Sequence, residues 1–365
     1  MIPPRRVFVL LPDHLDVAAW RAAWQAGRVP DETPYGYHHA AALGYEVVFS
    51  EPLVRRSGWA ALPFKLVRRI TGIDIEHAWN HRAKLFGSDV DAVWTHTERE
   101  FLPVALMARL LRKQLPPMVA QIVWLADEWP ALPSMKRWLQ ADLLRDVAVS
   151  TCHSPRNLVF LQQRVGADRA RLVEFGIAPE LWVAEPGPQR GRLDGRPLRV
   201  LTLGNDRHRD WATFAEAFAS VDGYEVFVAS VTYPDEGLAP NVVRARCDLA
   251  EIRARYAWAD VVVLPLLPNL HASGLTVLLE AVAAGKPVVA SDVGGLDHYV
   301  PRDAVAFVPA GDAMALRRAV KAIGDESPEQ MAERVAHARE AFTRGELDTP
   351  GYAARHVHLT ERLLA

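Results

Sequence analysis

Short hydrophobic runs alternate with amphipathic stretches along most of the chain, and this pattern predicts alternating strands and helices. Apolar runs rich in β-branched residues, without a polar residue at every second position, are typical of strands buried on both faces of a parallel sheet. In the first half such runs predict strands at 7–11, 45–49, 91–95, 119–125 and 147–150. Helices are predicted in the intervals, among them 101–113 and 155–165.

A stretch rich in proline and glycine separates this series from a second one. Residues 182–197 include Pro186, Pro188, Gly191 and Gly195, which predicts a linker between two domains. The second series has strands predicted at 198–203, 224–230, 260–265, 288–290 and 304–308, and helices at 211–219, 248–257, 275–284 and 312–323. A final helix is predicted from Tyr352 to Leu364.

Alternating strands and helices in both halves predict an α/β fold. We expect two Rossmann-like, doubly wound domains with parallel sheets that face a cleft. The first domain is predicted at 1–185 and the second at 197–346. The terminal helix, within 350–365, is expected to pack back on the first domain.

A turn that opens directly into an apolar helix is the strongest functional signal in the chain. Ser273 and Gly274 form the turn, and the helix is predicted from Leu275. Free backbone N–H groups and the helix dipole make such a helix start a site for an anion such as phosphate.

The only charged residue of this helix strengthens that interpretation. Glu280 lies four residues after Thr276, so both residues face the same side of the helix. A carboxylate there can accept hydrogen bonds from two neighbouring hydroxyls, as on a ribose. Phosphate at the helix start and sugar hydroxyls one turn along fit a nucleotide diphosphate. An ordinary sheet-flanking helix with a solvated Glu280 remains the alternative.

Composition restricts the classes of protein that fit. The chain has 365 residues, half of them hydrophobic, which is enough for two separate cores. A net charge of −2 argues against a nucleic-acid binder held by bulk charge. Cys152 and Cys247 lie far apart without metal-ligand spacing, which predicts a reducing, cytoplasmic location. The apolar run at 7–11 is too short for a signal peptide, and no segment approaches transmembrane length.

Three runs of the second half together resemble a known signature. Residues 259–265, 273–280 and 285–295 look like the donor-binding signature of family-four glycosyltransferases, retaining enzymes with the two-Rossmann GT-B fold. The resemblance covers about 198–345 in order and spacing, whereas the first half fits only in outline. It implies that the first domain binds the acceptor and the second domain binds a nucleotide-sugar donor.

The resemblance implies roles for residues around the turn. Glu280 matches the acidic residue that binds the ribose of the nucleotide. The family's first acidic residue, which contacts the donor sugar, falls near His271, where this chain has no acid. The backbone N–H groups of the turn are implied to hold sugar and phosphate; its residues are Ser273, Gly274, Leu275 and Thr276.

A basic pair is implied to neutralise the diphosphate. In the family this pair follows the first strand of the donor domain, and here Arg209 matches it best, with Arg207 as its partner. A planar guanidinium can hold two phosphate oxygens at once, so arginine suits this position. An exposed basic turn without a ligand is the alternative.

We expect no metal and no cofactor, with the nucleotide sugar acting as co-substrate. Asp89 and Asp91 spell the Asp-x-Asp motif with which another class of glycosyltransferase holds a metal. They precede the apolar strand 92–94, where polar loop residues are common, and no other metal-like cluster accompanies them. The helix N-terminus with Arg207 and Arg209 would stabilise the leaving diphosphate without a metal.

Polar residues follow several predicted strands of the first half. Asp13 and His14 follow the first strand, and His96 ends the third. Asp127 follows the predicted strand 119–125. Parallel sheets bind ligands beyond the carboxyl ends of their strands, so these residues are candidates for the acceptor side.

The family often has a histidine at the end of a first-half strand, so the catalytic candidates are Asp127 and His96. A capping or packing role is the alternative for each. The loop 34–39 resembles the glycine-containing loop before the family's first helix, where Gly36 would permit close backbone approach. His38 and His39 lie in that loop and join the acceptor-side candidates.

A basic segment at 52–70 contains no acidic residue. Its basic residues are Arg55, Arg56, Lys65, Arg68 and Arg69, and the apolar residues among them are Trp59, Leu62, Phe64, Leu66 and Val67. Such a basic amphipathic segment suits an anionic membrane surface, which would place the protein peripherally on the inner face of the membrane. A solvated helix with its apolar side packed on the domain is the alternative.

These observations predict a retaining glycosyltransferase of the hexosyltransferase type. It would move a sugar from a nucleotide-diphosphate sugar, with UDP as the favoured nucleotide, to a glycan or lipid-linked acceptor in surface polysaccharide or glycolipid synthesis. An inverting GT-B enzyme or a sugar-nucleotide epimerase would share the fold. A non-catalytic nucleotide-sugar-binding protein is a further alternative, because the first acidic residue of the signature is missing.

Overall fold

The computed structural model describes residues 4–182 and 195–365 and divides them into two compact units. The first unit comprises the described residues up to Trp24, together with Asp31–Phe175 and Thr349–Ala365. The second comprises Gln25–Pro30 and the described residues of Gly176–Asp348. Most of the predicted linker, including Pro186, Pro188 and Gly191, lies outside the described residues.

The first unit is built on a six-stranded parallel sheet with the order β2-β1-β3-β4-β5-β6. Its strands are β1 (Arg5–Leu10), β2 (Tyr45–Phe49), β3 (Ala92–Thr95), β4 (Met118–Gln121), β5 (Val149–Cys152) and β6 (Ala170–Leu172). The central strands are buried on both faces, as their continuous apolar runs predict.

Eight α-helices accompany this sheet in the described sequence up to residue 182. They are α1 (Val17–Gln25), α2 (Leu62–Thr71), α3 (Glu76–Asn80), α4 (Arg82–Leu85), α5 (Glu98–Leu111), α6 (Leu125–Glu128), α7 (Ser134–Asp146) and α8 (Pro155–Val165). Helix α5 begins three residues before its predicted start, because Thr97 and Glu100 form a capping box.

The fourth strand is shorter than the hydrophobic pattern predicts. It ends at Gln121 rather than at residue 125. The buried carboxylate of Glu98 accepts hydrogen bonds from the backbone N–H groups of Val123 and Trp124, at 2.9 and 3.2 Å. These N–H groups therefore pair with a side chain instead of a neighbouring strand, and the chain turns into α6.

The second unit contains another six-stranded parallel sheet, with the order β12-β11-β10-β7-β8-β9. Its strands are β7 (Leu198–Leu203), β8 (Tyr224–Ala229), β9 (Val242–Ala245), β10 (Val261–Leu264), β11 (Val288–Asp292) and β12 (Ala306–Pro309). The sequence pattern did not predict β9. This short edge strand buries only Val242, so it lacks the apolar run of a central strand.

The helices of this unit are α9 (Trp211–Phe218), α10 (Leu249–Trp258), α11 (Leu275–Ala283), α12 (Ala313–Gly324) and α13 (Pro328–Arg344). Helix α13 was not predicted, although Ser327 and Gln330 form a capping box at its start. It packs on α11, where the Arg339 guanidinium donates to the carbonyl oxygen of Ala283 at 3.1 Å.

The terminal helix α14 (Thr349–Leu364) belongs to the first unit, as predicted. The indole N–H of Trp94, on β3, donates to Thr360 Oγ1 at 2.7 Å. The hydroxyl of Tyr352 donates to Gln121 Oε1 at 3.1 Å. The predicted class, two doubly wound parallel sheets with a terminal helix returning to the first, is confirmed.

Among the residues that the structure describes, none of the helices combines the length and the apolar character that a membrane span needs.

Candidate active site

Two loops of the second unit meet where its strand order reverses. Strand β7 has β8 on one side and β10 on the other, so the crossover from β9 to β10 creates a switch point. Ligands of doubly wound sheets bind at such points, beyond the carboxyl ends of the strands. The loop 204–210 after β7 and the loop 265–274 after β10 occupy this place.

Backbone hydrogen bonds join the two loops. Arg209 and Leu266 form an antiparallel bridge. On either side of it, Asp210 N donates to the Pro265 carbonyl at 2.9 Å and Leu267 N donates to the His208 carbonyl at 2.8 Å. Arg209 therefore has a fixed backbone position at the edge of the sheet.

The guanidinium of Arg209 is buried, with the residue only 6% exposed. Within the described part of the chain, neither its Nε nor its Nη1 has a hydrogen-bond partner. Burial lowers the pKa of Arg209 to about 10, so the group keeps its positive charge at neutral pH. Buried N–H donors without a hydrogen-bond partner are unfavourable, which points to an anionic ligand at this place.

Two glycines make room for this side chain. A Cβ atom at Gly204 would lie 2.3 Å from Nη2 of Arg209, and one at Gly274 would lie 3.0 Å from Nη1. Gly274 is also the N-cap of α11, with φ of 85°, and no described side chain caps that helix. The structure thus brings the Arg209 cation to the N-terminus of α11, where the helix dipole adds to its positive potential.

Asp206 connects the two loops through its carboxylate. Oδ2 accepts hydrogen bonds from His271 Nε2 and Ser273 Oγ, both at 2.9 Å, while Oδ1 accepts from His208 N at 2.8 Å. Burial alone would raise the pKa of Asp206, but these hydrogen bonds outweigh it and hold the pKa far below its usual value. Sequence analysis did not select Asp206; its signal was a carboxylate in the loop after the domain's first strand.

The position where the resemblance implies an acid therefore has one nearby, from a different loop. His271 is 7% exposed, and its imidazole lies against the Asp206 carboxylate. The amide of Asn269, also missed by the sequence analysis, accepts from Ser273 N at 2.9 Å and fixes the turn before α11.

Three side chains here have metal-ligand atoms within 4.8 Å of one another: Asp206, His208 and His271. They are of the types that bind transition metals. Both carboxylate oxygens of Asp206, however, already accept hydrogen bonds from donors of the two loops. The geometry is that of a completed hydrogen-bond network.

Glu280 lies on α11, beyond Thr276, as the spacing predicts. Tyr256, from α10, donates its hydroxyl to Glu280 Oε2 at 2.9 Å. Burial raises the pKa of Glu280 to about 7, against the opposing effects of the Tyr256 hydrogen bond and the Arg209 charge. Glu280 is therefore not a solvated surface charge. Tyr256 was not identified from the sequence, because it lies 24 positions away on another helix.

Arg207 is exposed, two residues from Arg209 in the same loop. The structure thus places the two predicted basic residues differently, since Arg209 is buried against the start of α11 and Arg207 faces solvent. Thr276, in the first turn of α11, is also exposed, whereas Ser273 and Leu275 are buried.

The acceptor-side candidates of the first unit occupy several loops. Asp13 and His14 follow β1; Asp13 Oδ2 pairs with Arg55 at 2.9 Å, and the His14 side chain is 75% exposed. Asp127 is half-buried on the short helix α6 instead of directly following a strand. Asp91, of the Asp-x-Asp sequence, accepts a hydrogen bond from Arg6 N, near the start of β1, at 2.6 Å.

His96 directly follows β3 and is buried. Tyr35 stacks on its imidazole with ring centroids 3.4 Å apart, and Nδ1 lies 3.4 Å from the Tyr37 hydroxyl. Burial, reinforced by His153 and His356, holds the pKa of His96 well below its ordinary value. The side chain is therefore a neutral imidazole at physiological pH.

The loop of Gly36 and His38 lies beside the start of α14. Gly36 has φ of 68°, and a Cβ there would lie 2.3 Å from Thr349 Cβ. His38 Nδ1 pairs with Thr33 Oγ1 at 3.1 Å. The close approach that Gly36 permits in this unit is to Thr349 and Asp31.

The basic segment exposes its apolar side chains. Trp59 is 88% exposed, and Leu66 and Ile70 are each 59% exposed. Helix α2 has no fully buried residue, although Phe64 is half-buried and its ring centroid lies 6.1 Å from that of Trp79. Arg55 pairs with Asp13 and Asp74, each at 2.9 Å, and these ion pairs neutralise part of the positive charge of the segment.

Comparison with known proteins gives a match of part of the chain to a family model and a likeness of the whole chain in fold. Residues 208–326 match the family model described as glycosyl transferases group 1. No curated protein matches the chain in sequence. In fold, the chain is similar to sucrose-phosphate synthase from Thermosynechococcus elongatus, with a TM-score of 0.71 and 19% identity over 98% of this chain and 99% of that one.

Two further structures have similar folds. One is HepE from Anabaena in complex with UDP-glucose, with a TM-score of 0.64 and 14% identity over 98% of each chain. Another is a glycosyltransferase from Rickettsia africae, with a TM-score of 0.62 and 11% identity over 99% of each chain. At these identities the likeness is one of fold.

The family match includes the elements of the candidate site. It contains Arg209, the loop 265–274 and helix α11, which carries Glu280. The two six-stranded parallel sheets correspond to the two Rossmann-like domains of the similar structures. The chain therefore has the two-domain GT-B fold of the similar structures, and its residues 208–326 match the group 1 glycosyl transferase model.

Proposed function

We propose that the protein is a retaining hexosyltransferase that transfers a sugar from a UDP-sugar to a glycan or lipid-linked acceptor. The observation that carries the proposal is the buried guanidinium of Arg209 at the N-terminus of α11. Glu280 lies further along the same helix, with one carboxylate oxygen bound by Tyr256. A nucleoside diphosphate bound here would have its negatively charged diphosphate at Arg209 and its ribose hydroxyls at Glu280.

Arg209 and the α11 N-terminus would act on the leaving group. Breaking the bond between sugar and phosphate leaves a diphosphate whose negative charge grows in the transition state. A guanidinium already held in place by the 204–210 loop stabilises that charge without having to reorganise. Nη1 and Nε of Arg209 offer two donors for this purpose. We propose that no metal is needed for this step.

Glu280 would orient the nucleotide through its ribose. With Tyr256 bound to Oε2, the remaining lone pairs of the carboxylate can accept the ribose hydroxyls. The choice of UDP is supported by the fold likeness to HepE, whose structure is a complex with UDP-glucose.

The resemblance to family-four enzymes supports a reaction that retains the anomeric configuration of the sugar. In this mechanism the acceptor hydroxyl attacks from the face that the diphosphate leaves, and a phosphate oxygen takes its proton. The first unit would supply the acceptor-side residues, with Asp127 and His96 as the catalytic candidates and Asp13, His14, Gly36 and His38 around them. The anomeric configuration of the product, measured by NMR, distinguishes retention from inversion.

We also propose that the acceptor side works at an anionic membrane, in surface polysaccharide or glycolipid synthesis. The exposed Trp59, Leu66 and Ile70 would enter the interface, and Lys65 and Arg69 on the same helix would contact anionic headgroups. Such a peripheral attachment on the inner face would bring a lipid-linked acceptor to the enzyme.

Calorimetric titration with UDP and UDP-glucose tests the proposed donor site. Arg209→Ala and Glu280→Ala should each weaken binding at least about tenfold, since each removes charged hydrogen bonds to the ligand. Arg318→Ala on α12 and Glu333→Ala on α13, both exposed, are matched controls that should leave binding unchanged. Unchanged donor binding in both site variants would refute the site. Binding without transfer to any acceptor or to water would instead identify a nucleotide-sugar-binding protein.

A further inference from the structure

We propose that Asp31, His38 and His39 form a binding site for a divalent transition metal of the Zn²⁺ type in the first unit. These three residues are called the loop cluster here. They belong to the first unit, whereas the donor-site residues Arg209 and Glu280 belong to the second. Their ligand atoms all lie within 4.8 Å of one another.

The distances within the loop cluster suit a shared metal better than direct hydrogen bonds. His38 Nε2 lies 3.5 Å from Asp31 Oδ1, and His39 Nε2 lies 3.8 Å from Asp31 Oδ2. Zinc binds nitrogen and oxygen at about 2.0–2.1 Å in a tetrahedron, which places neighbouring ligand atoms about 3.3 Å apart. The two distances end on different oxygens of Asp31. A metal bound by Oδ2 would have His39 Nε2 within about 0.5 Å of tetrahedral spacing from that oxygen.

One carboxylate oxygen of the cluster lacks a partner. The Asp31 side chain is 12% exposed, and its Oδ2 is buried without a hydrogen-bond partner among the residues that the structure describes. A buried acceptor left unpaired is unfavourable, and a buried carboxylate is usually paired or bound to a metal. At Asp31 only Oδ1 accepts a hydrogen bond that the structure shows, from Glu32 N at 2.8 Å, whereas hydrogen bonds occupy both carboxylate oxygens of Asp206.

The surroundings orient the ligands. Thr33 Oγ1 pairs with His38 Nδ1 at 3.1 Å, which directs Nε2 of that ring towards Asp31. Metal-binding histidines commonly have their second nitrogen fixed in this way. Glu32 Oε2 lies 4.0 Å from His38 Nε2, while Oε1 of the same carboxylate pairs with Arg21 at 3.2 Å.

The backbone of the loop allows the carboxylate to enter. A Cβ at Gly36 would lie 2.8 Å from Asp31 Oδ2. Tyr35 and Gly36 both have positive φ, 62° and 68°, so the chain makes a tight turn just before the two histidines. This turn brings His38 and His39 back over Asp31.

The loop cluster adjoins the first residue of α14. His39 Nε2 lies 3.3 Å from Thr349 Oγ1, a contact that a metal on Nε2 would replace. A metal bound here would hold Asp31, His38 and His39 together and so fix the turn of the loop 31–44. Its role would be structural, as in closed zinc sites with protein ligands only.

Metal content and unfolding temperature of the full-length protein test this inference. After treatment with EDTA and removal of the chelator, the wild type should bind one Zn²⁺ per chain and unfold at a higher temperature with Zn²⁺ than without it. His39→Gln and Asp31→Asn should lose both effects, whereas His358→Gln, at an exposed position of α14, should keep them. Failure of the wild type to bind Zn²⁺ overturns the inference.

Two further variants locate the metal. If His271→Gln abolishes Zn²⁺ binding and His39→Gln does not, the metal lies at Asp206, His208 and His271, and the inference is wrong. If His39→Gln fails to fold, His39→Cys keeps a metal ligand at the same position. Its Co²⁺ complex should show a sulfur-to-cobalt charge-transfer band that the wild type lacks, and absence of this band excludes residue 39 as a ligand.

Discussion

The carboxylate of Asp206 accepts a hydrogen bond from Nε2 of His271 at 2.9 Å. The two residues are 65 positions apart in the sequence, in loops that follow neighbouring strands β7 and β10. The family's donor signature has an acidic residue near the position of His271. In this protein a histidine bound to a carboxylate from another strand end occupies that place, beside the turn that opens α11.

Replacing Asp206 by asparagine should weaken both the fold and the recognition of the donor sugar. The substitution removes the charged acceptor of His271 and Ser273, so we expect a loss of about 1–3 kcal/mol in the free energy of unfolding. UDP-glucose binding should weaken more than UDP binding, because the pair lies at the position implied to face the sugar. Urea unfolding and calorimetric titration measure the two effects. Asp222→Asn, in an exposed turn, is the matched control.

The same pair should contribute to the acid sensitivity of the protein. The pKa of Asp206 is held far below its unfolded value of about 3.9. Its contribution to stability is therefore fully present above about pH 4 and is lost as the pH falls through the folded-state pKa. The difference in unfolding free energy between wild type and Asp206→Asn should shrink as the pH is lowered from 7 towards 3. A difference that stays constant would contradict this assignment.

Donor binding should depend on the ionisation of Glu280. Its pKa is raised to about 7 by burial, and the ionised carboxylate is the form that accepts the ribose hydroxyls. The dissociation constant of UDP-glucose should therefore rise about tenfold between pH 8 and pH 6, as the protonated form comes to dominate. Glu280→Gln should bind weakly at both pH values. A wild-type profile that is flat over this range would show that Glu280 does not bind as the carboxylate.

Arg209→Met should abolish the stabilisation of the protein by UDP. Methionine keeps an apolar side chain at this place but removes the guanidinium whose Nε and Nη1, without a partner within the described sequence, would bind the diphosphate. We expect UDP to raise the unfolding temperature of the wild type and to leave that of the variant unchanged. Thermal unfolding with and without UDP gives both results. Arg209→Lys, which keeps the charge, should retain part of the stabilisation by UDP.

The proposed membrane contact should depend on the exposed side chains of helix α2 and of Trp59 just before it. Lys65 and Arg69 are exposed on this helix, and replacing both with glutamine should weaken binding to vesicles that contain anionic lipid by about 2 kcal/mol, roughly thirtyfold. Trp59→Ser should weaken it further through lost apolar contact. Sedimentation with phosphatidylglycerol vesicles measures the change. Arg318→Gln with Met314→Ser, exposed on α12, is the control pair, and equal sedimentation of all variants would exclude the surface.

Most elements of the fold follow from local pattern. Continuous β-branched runs such as 261–264 belong to strands buried on both faces, so the apolar pattern of these strands does not depend on which element packs on them. Strand β9 escaped prediction because an edge strand needs few apolar residues. Strand β4 ended early because Glu98, which lies far away in sequence, takes the next backbone N–H groups.

The candidate site likewise combines features that follow from local sequence with contacts between residues that are distant in sequence. Ser273, Gly274 and Glu280 are close in sequence, and the geometry of one turn and one helix sets their spacing. Asp206 and Tyr256 belong to other elements, so no local pattern indicates that they touch His271 and Glu280. The difference between buried Arg209 and exposed Arg207 likewise depends on how two loops meet.

The sequence by itself determined the two doubly wound sheets, the helix start at Gly274 and the place of Glu280 on the same helix, because backbone geometry and hydrophobic periodicity act over short distances. Only the tertiary structure decided the environment of each charge. Burial raised the pKa of Glu280 to about 7 and left Nε and Nη1 of Arg209 without a hydrogen-bond partner among the described residues, and the meeting of two loops joined Asp206 to His271. Desolvation and pairing depend on residues that are distant in sequence and become neighbours only when the sheet forms.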